Sequence, residues 1–391
     1  MKKISFKKKL FFFSFFLFII FFLVEIFLRI TNIEYPIFQK SDPIRGFSLV
    51  PNSSGTWRRE GEGKIRINSD GLRDIEHQLK KPANTLRIAI LGDSFAEARS
   101  INLEDTFWFK LKDNLKKCNK FHNGKKIEVI NFGVSEYGTT QQYLTLKNNV
   151  WKYDPDLILL AFYSGNDVSD NLKGLSTKKY RPYFKFIDNK LVEIDETFLY
   201  SKPYKILNSI PGKIFIKISQ YSRISQLFRE AYVQQYFKKQ RNKKNNKFGN
   251  QLIINSSNLY NPSGENWSRA WSITENIILL INNEIEKNKK KFILVTLSNP
   301  IQVDFDLNKL NNFTKLNNIE DIFYPENRLE NFSKKNSINF IQISKRMREI
   351  AIKDKVYFHG FNNSKLGEGH WNIEGHDLAS KLISNDICNL N

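Results

Sequence analysis

Short apolar runs alternate with stretches of helical period along most of this chain. Leu86–Leu91 is an apolar run ended by Gly92, and Phe107, Leu111 and Leu115 then recur every four residues. Ile127–Phe132 is a second run, ended by Gly133, followed by Tyr143, Leu146 and Val150 at helical spacing. Leu157–Phe162 is a third, closed by Ser164-Gly165-Asn166. Strand, helix, strand, helix, strand at this spacing predicts a parallel sheet with helices on its faces. The rhythm breaks over about 170–264, a stretch rich in Lys, Asn and Tyr, and then resumes. It predicts a helix over Trp267–Glu286, a strand over Phe292–Leu297 and a short helix near Glu326–Lys334. A strand over Ile338–Ile343 and a last helix over Glu374–Ile387 complete the pattern. Residues 86–391 therefore read as one α/β domain interrupted by an insertion.

The amino end follows a different pattern. Lys2, Lys3, Lys7, Lys8 and Lys9 form a basic tail over residues 1–9. An apolar stretch then runs from Leu10 to Leu28, broken only by Ser14 and Glu25. At about 1.5 Å per residue this stretch nearly spans a hydrocarbon core about 30 Å thick. A cleaved signal peptide would have a shorter apolar region and small residues after it. Here Phe27, Leu28, Arg29 and Ile30 follow, so an uncleaved anchor over 10–29 is expected. The preceding lysines hold that end in the cytoplasm and place the remainder outside, in the periplasm of a Gram-negative cell. Residues 30–85 read as a membrane-proximal lead-in packed on the main domain. Turn signals fall at Pro51–Gly55 and Ser69–Gly71, and Lys64-Ile65-Arg66-Ile67 alternates as a half-buried strand does.

Charge and cysteines change this picture little. Lys+Arg 61 against Asp+Glu 40 gives a net charge of +21. The lysines are spread along the chain, and no aromatic-interleaved basic motif or zinc-finger spacing accompanies them, so no nucleic-acid partner is expected. The densest run, Lys238, Lys239, Arg241, Lys243, Lys244 and Lys247, reads as a solvated loop or helix end. Cys118 and Cys388 sit in no metal-ligand spacing. Both close helices expected on one face of the sheet, so a bridge is conceivable. The narrow distance window makes two unpaired thiols the expectation.

Three polar motifs each directly follow one of the first three strands. Ligand sites in open parallel sheets form outside the carboxyl ends of the strands. Gly92-Asp93-Ser94, Asn131-Phe132-Gly133 and Gly165-Asn166-Asp167 should therefore converge on one crevice. A serine on the turn leaving a strand can attack an ester carbonyl if a base takes its proton. The tetrahedral intermediate then needs donors, which the Ser94 N–H, the Gly133 N–H and the Asn166 amide could supply. Gly133 suits that role because a missing Cβ permits close backbone approach.

The base must be His77, His122, His359, His370 or His376. His370 stands in Gly367-Glu368-Gly369-His370-Trp371-Asn372, a turn-like stretch before the last helix, and is the choice. Each piece also has a plainer use. Ser94-Phe95-Ala96-Glu97 is a good capping box, Gly133 alone is a turn, and Asn166-Asp167 alone starts a helix. His376 is expected to cap or pack; no carboxylate completes a metal pair with His370 at zinc-site spacing. The conjunction after successive strands favours the chemical reading.

Ile90-Leu91-Gly92-Asp93-Ser94-Phe95 resembles the first block of the SGNH (GDSL) hydrolases. Asn131-Phe132-Gly133-Val134 resembles their glycine block, Gly165-Asn166-Asp167 their asparagine block and His370-Trp371-Asn372 their histidine block. The lead-in Asn68-Ser69-Asp70-Gly71-Leu72-Arg73 is similar to one found in membrane-anchored bacterial members. The resemblance implies a three-layer α/β/α, flavodoxin-like fold and a Ser-His(-Asp) centre with no metal or other cofactor. It implies ester hydrolysis or acyl transfer, by way of an acyl-Ser94. That family carries Asp three residues before the histidine, where this chain has Gly367. Glu368 is the nearest carboxylate; on extended backbone, residues two apart point the same way, so Glu368 is the expected acid, with a Ser-His dyad helped by a backbone carbonyl as the alternative.

The expected activity is that of a membrane-anchored serine esterase or O-acyltransferase. Its substrates would be acylated small molecules or glycans, acetylated envelope or exported glycans above all, with a membrane acyl-transfer partner in the second case. The alternative is a non-catalytic glycan-binding or scaffold protein retaining the fold.

Overall fold

The computed structural model describes residues 5–178, 180–245 and 257–390. Its centre is a five-stranded, all-parallel sheet of β5 (Thr85–Gly92), β6 (Lys126–Asn131), β7 (Leu157–Phe162), β10 (Lys291–Thr296) and β11 (Asn339–Gln342). The spatial order is β11-β10-β7-β5-β6. Counted along the chain this is 2-1-3-4-5, the flavodoxin-like order, whose winding reverses between β5 and β7.

The helices that follow the strands sort by the strands' alternation. Ile88, Ile90, Leu157, Leu159, Ile293 and Val295 face one layer, formed by α3 (Phe107–Leu115), α13 (Ser344–Asp354) and α14 (Ile373–Asn389). Ala89, Leu91, Ile158, Leu160, Phe292 and Leu294 face the other. That layer contains α5 (Thr139–Asn148), α10 (Glu265–Lys287), α11 (Leu307–Leu316) and α12 (Tyr324–Lys335). Strands buried on both faces explain the nearly continuous apolar runs of the sequence. The short helix α4 (Asn119–His122) lies between α3 and β6. Helices α11 and α13 were not foreseen, because polar residues dilute their apolar stripes.

Helices α3 and α14 both run back against the strand direction on the same face, so their carboxyl ends come together. Cys118 and Cys388 therefore meet at a Cα–Cα distance of 5.6 Å and are bridged. The expectation of two unpaired thiols is corrected.

Before the sheet, α1 (Phe6–Ile30) is apolar and almost entirely uncovered by the rest of the chain, with a mean hydropathy of 2.8 in its most apolar window. It is long enough to cross a bilayer. Two hairpins follow, β1 (Gln39–Asp42) with β2 (Gly46–Leu49), and β3 (Ser54–Trp57) with β4 (Gly63–Arg66). Arg73 is buried and donates to the carbonyls of Ala98 and Ile101 at 2.6 Å each. The Asn68–Arg73 segment thus clamps the chain just beyond β5.

Helix α6 (Ser164–Asp170) ends where the expected insertion begins, and that stretch contains a hairpin, β8 (Tyr183–Ile187) with β9 (Lys190–Asp195). Three further helices follow, α7 (Lys202–Asn208), α8 (Ile210–Tyr221) and α9 (Arg223–Asn245). The basic run from Lys238 to Lys244 lies on the last turns of α9, and Lys247 lies outside the described residues.

Candidate active site

Ser94 opens α2 (Ser94–Glu97), a single turn leaving the carboxyl end of β5. Asp93 caps that turn, its carboxylate accepting from the Phe95 N–H at 2.9 Å. The capping-box expectation is therefore wrong in its residues. Ser94 is not the cap, and Glu97 is buried, accepting from Arg99 Nε and the Ser135 N–H at 2.5 Å each. Freed from capping, the Ser94 Oγ faces the crevice. As the first helical residue it also has an N–H with no intrahelical acceptor.

Ser94 Oγ lies 2.8 Å from His370 Nε2. The other ring nitrogen, Nδ1, lies 2.5 Å from Oε2 of Glu60. The second oxygen of Glu60 accepts from the His370 backbone N–H at 2.7 Å. Since a carboxylate only accepts, Nδ1 carries the proton and Nε2 is left to accept from Ser94.

Glu368, the acid expected from sequence, is absent from this arrangement. It is exposed and pairs with Lys365. Gly367 and Gly369 flank it with φ of +76° and +77°, so the backbone is not extended there and the two-residue rule does not apply.

Glu60 comes from the turn joining β3 to β4, outside the α/β domain. Gly61 and Gly63 let that turn lie against the chain after α2. A Cβ on Gly61 would come 2.2 Å from the Ser100 carbonyl, and one on Gly63 would come 2.4 Å from those of Arg99 and Ile101. Asn363 brackets Gly61, accepting from its N–H and donating to its carbonyl at 2.8 Å each. The hairpin is thus stitched to the loop that carries His370.

His359 holds that loop from beneath. Its Nδ1 lies 2.8 Å from the Gly369 carbonyl and its Nε2 lies 3.1 Å from Ser298 Oγ. Burial pushes its pKa down to about 3, so it is a neutral strut with its proton on Nδ1. His376 is buried too, accepting from the Phe107 N–H at 3.2 Å and stacked on that ring. His77 lies between Asp74 and Glu128. His122 is near the surface beyond α3, 3.3 Å from the Lys116 carbonyl.

Electrostatics suit a base at His370. Burial alone would lower its pKa, but the hydrogen bond and charge of Glu60 outweigh that and raise it. Glu60 shows the converse: burial would raise it, and His370 pulls it below the ordinary carboxylate range. Asp93, wholly buried, is pushed up to about 6.

The expected oxyanion donors are brought together only in part. Asn166, near the start of α6 after β7, reaches across the point where the winding reverses and donates Nδ2–H to Asp93 Oδ2 at 3.0 Å. Its second Nδ2 hydrogen remains for a ligand. Gly133 is different. It is buried, its N–H donates to Asn131 Oδ1 at 2.9 Å, and a Cβ there would meet Ala96 Cβ at 2.4 Å. Close packing against α2 explains this glycine, and its N–H is already engaged. Ser94 N–H and Asn166 Nδ2–H are the donors that remain.

A cavity of about 560 Å³ opens over Ser94, His370, Glu60 and Asn166. Trp57 of the lead-in lines it, together with Arg99, Glu136 and Lys178.

No protein-family model matches the sequence, nor does any curated protein. Solved structures with a similar course of chain include an acetyl xylan esterase, at 11% identity over 77% of this chain and 99% of that one, TM-score 0.38. A GDSL-like lipase from Bacteroides thetaiotaomicron is 14% identical over 77% and 87%, TM-score 0.31. A catalytic mutant of an acetylxylan esterase from Geobacillus stearothermophilus is 10% identical over 77% and 94%, TM-score 0.35. The likeness is loose at these scores, and the fold assignment stands on the strand order of this chain itself.

Proposed function

We propose that this protein is a serine esterase of the SGNH type, tethered to the membrane by α1, with Ser94, His370 and Glu60 as its catalytic triad. The observation that carries the reading is the unbroken chain Glu60–His370–Ser94 at hydrogen-bond distances. A serine, an imidazole and a partly buried carboxylate in that order are how a hydroxyl becomes a nucleophile at neutral pH.

The reaction follows from the positions. Ser94 Oγ attacks the acyl carbonyl carbon while His370 Nε2 takes its proton. Ser94 N–H and Asn166 Nδ2–H face the oxygen that gains the negative charge. Collapse of the tetrahedral intermediate breaks the ester bond, and His370 returns the proton to the leaving alkoxide. Water, activated by the same imidazole, then attacks the acyl-Ser94 and frees a carboxylic acid. An acceptor hydroxyl in place of water would make the same step an acyl transfer. Glu60 touches no substrate; it fixes the tautomer and stabilises the imidazolium that forms twice per cycle.

Acyl groups on sugar hydroxyls, acetyl above all, are the proposed substrates. A broad, half-open cavity lined by an indole and several charged side chains favours a polar, ring-bearing alcohol over a long apolar one. The test is labelling of the full chain with a fluorophosphonate, paired with hydrolysis of p-nitrophenyl acetate. Labelling and turnover that both vanish in Ser94→Ala support the reading. Labelling that survives in Ser94→Ala, or a wild-type chain inert to both reagents, overturns it in favour of a non-catalytic scaffold.

A further inference from the structure

Among the described residues, apolar side chains outside α1 are mostly covered, with one concentrated exception between Tyr200 and Tyr232. On α8, Ile210, Ile214, Ile218 and Tyr221 recur at helical spacing and form one stripe, each more than half exposed at 75%, 54%, 53% and 70%. The opposite face of α8 is the covered one, with Ser219 fully buried. This amphipathic helix is therefore turned inside out relative to a helix of a soluble domain.

The stripe does not stand alone. Helix α8 ends against the last turns of α1, and Glu25, the one carboxylate in that apolar helix, is the joint. Its oxygens accept from the Arg223 N–H at 3.0 Å, the Ile224 N–H at 3.1 Å and Ser222 Oγ at 3.2 Å. Glu25 thus serves the free amino end of α9. From the same stretch of α1, Arg29 donates to the Tyr221 carbonyl at 2.5 Å. Between the two helices runs a cleft of about 670 Å³, walled by Phe18, Phe22, Ile218 and Tyr221. The part of α1 lining it, Phe18 to Arg29, covers roughly 17 Å of helix axis.

We propose that α7 and α8 are embedded in the lipid leaflet at the carboxyl end of α1, with the stripe of α8 facing acyl chains. The inference rests on α1 spanning the bilayer. A surface continuous with a span, apolar and uncovered, has hydrocarbon as its natural occupant. Lys202 and Lys205 on α7, with Lys213 and Lys217 on α8, are all exposed beside the apolar side chains. They match the anionic headgroups at the rim of such a leaflet. Helix α9, anchored on Glu25, also holds the lead-in through Arg223–Glu34 and Arg59–Glu230. The embedded elbow therefore reaches, by way of α9, the hairpin that carries Glu60.

The full chain reconstituted in phosphatidylcholine vesicles tests this, because its two native cysteines are bridged and a single added thiol can be labelled. A nitrobenzoxadiazole probe is placed at Ile214→Cys, Ile218→Cys, Phe16→Cys or Val192→Cys, and quenching by lipid-borne doxyl groups is measured. The expected result is quenching at 214 and 218 at least about twofold stronger than at 192, deepening when phosphatidylglycerol is included. Probes at 214 and 218 as silent as at 192, while Phe16→Cys is quenched, overturn the proposal and leave the span intact. A silent Phe16→Cys probe overturns the span and the proposal with it. Insensitivity to phosphatidylglycerol removes the lysines' assigned role.

Discussion

Glu60 and His370 are joined twice, the carboxylate receiving both the ring Nδ1–H and the backbone N–H of a residue 310 positions away. One bond sets the tautomer and the other sets the position of the loop. Glu60→Gln keeps the shape and loses the charge. It is expected to lower kcat by roughly 10³–10⁴, by analogy with loss of a triad carboxylate. Glu368→Gln should stay within about twofold of wild type, since that side chain faces solvent and Lys365. Steady-state hydrolysis of a chromogenic acetate decides between them; a loss confined to Glu368→Gln would return the acid's role to Glu368.

The pH profile carries a sign. The proposed mechanism needs Nε2 of His370 unprotonated, and the Glu60 pair raises the pKa of that ring. The acidic limb of kcat/KM should therefore have its midpoint above the ordinary histidine value of about 6.5. Glu60→Gln removes the cause of the rise while burial still lowers the pKa, so its midpoint should fall below the wild-type one. A limb that does not move between the two proteins would show that it belongs to another group, Asp93 at about 6 being the first to examine.

Gly369 offers a test free of ionisable groups. Its φ is +77°, and an added Cβ would come 1.9 Å from Glu60 Oε1. Gly369→Ala should displace the carboxylate and lose activity on the scale of Glu60→Gln. Gly174→Ala, where a Cβ meets nothing within 4 Å, should be silent. Activity and thermal unfolding measured on both separate the local effect from general destabilisation.

The bridge between Cys118 and Cys388 spans a sequence separation of 270. Closing so long a loop stabilises by roughly 2–5 kcal/mol, mainly through the unfolded state. Cys118→Ala with Cys388→Ala should lower Tm by several degrees and leave kcat near wild type, since neither sulfur lines the cavity. Alkylation of both thiols in native, oxidised protein, followed by mass mapping, would contradict the bridge.

Much of this arrangement was legible in the sequence because it is local. Apolar runs ended by Gly92, Gly133 and Ser164 marked the strands, and the residues after them marked the crevice. Ser94 could be found that way, and His370 by its turn-like stretch before the last helix. Glu60 could not, since no periodicity links a hairpin turn to a loop 310 residues on. The signal that existed was Gly61 and Gly63 on either side of Glu62, glycines a plain surface hairpin has little need of. Gly133 misled for a related reason. Its missing Cβ makes room for Ala96, a neighbour in space that spacing along the chain does not reveal. The exposed stripe of α8 was hidden in a segment whose lysines and asparagines read as solvated.

The way Glu60 reaches the site also sets when the site can exist. The carboxylate is translated first, the nucleophile shortly after it, and the histidine 310 positions after the carboxylate. Until that final loop emerges and folds back onto the hairpin, Ser94 has no base and the imidazole has no partner. On the proposed reading, a nascent chain that stops short of His370 is chemically silent. Ester cleavage begins only after the stretch that carries His370 has closed on the hairpin that carries Glu60.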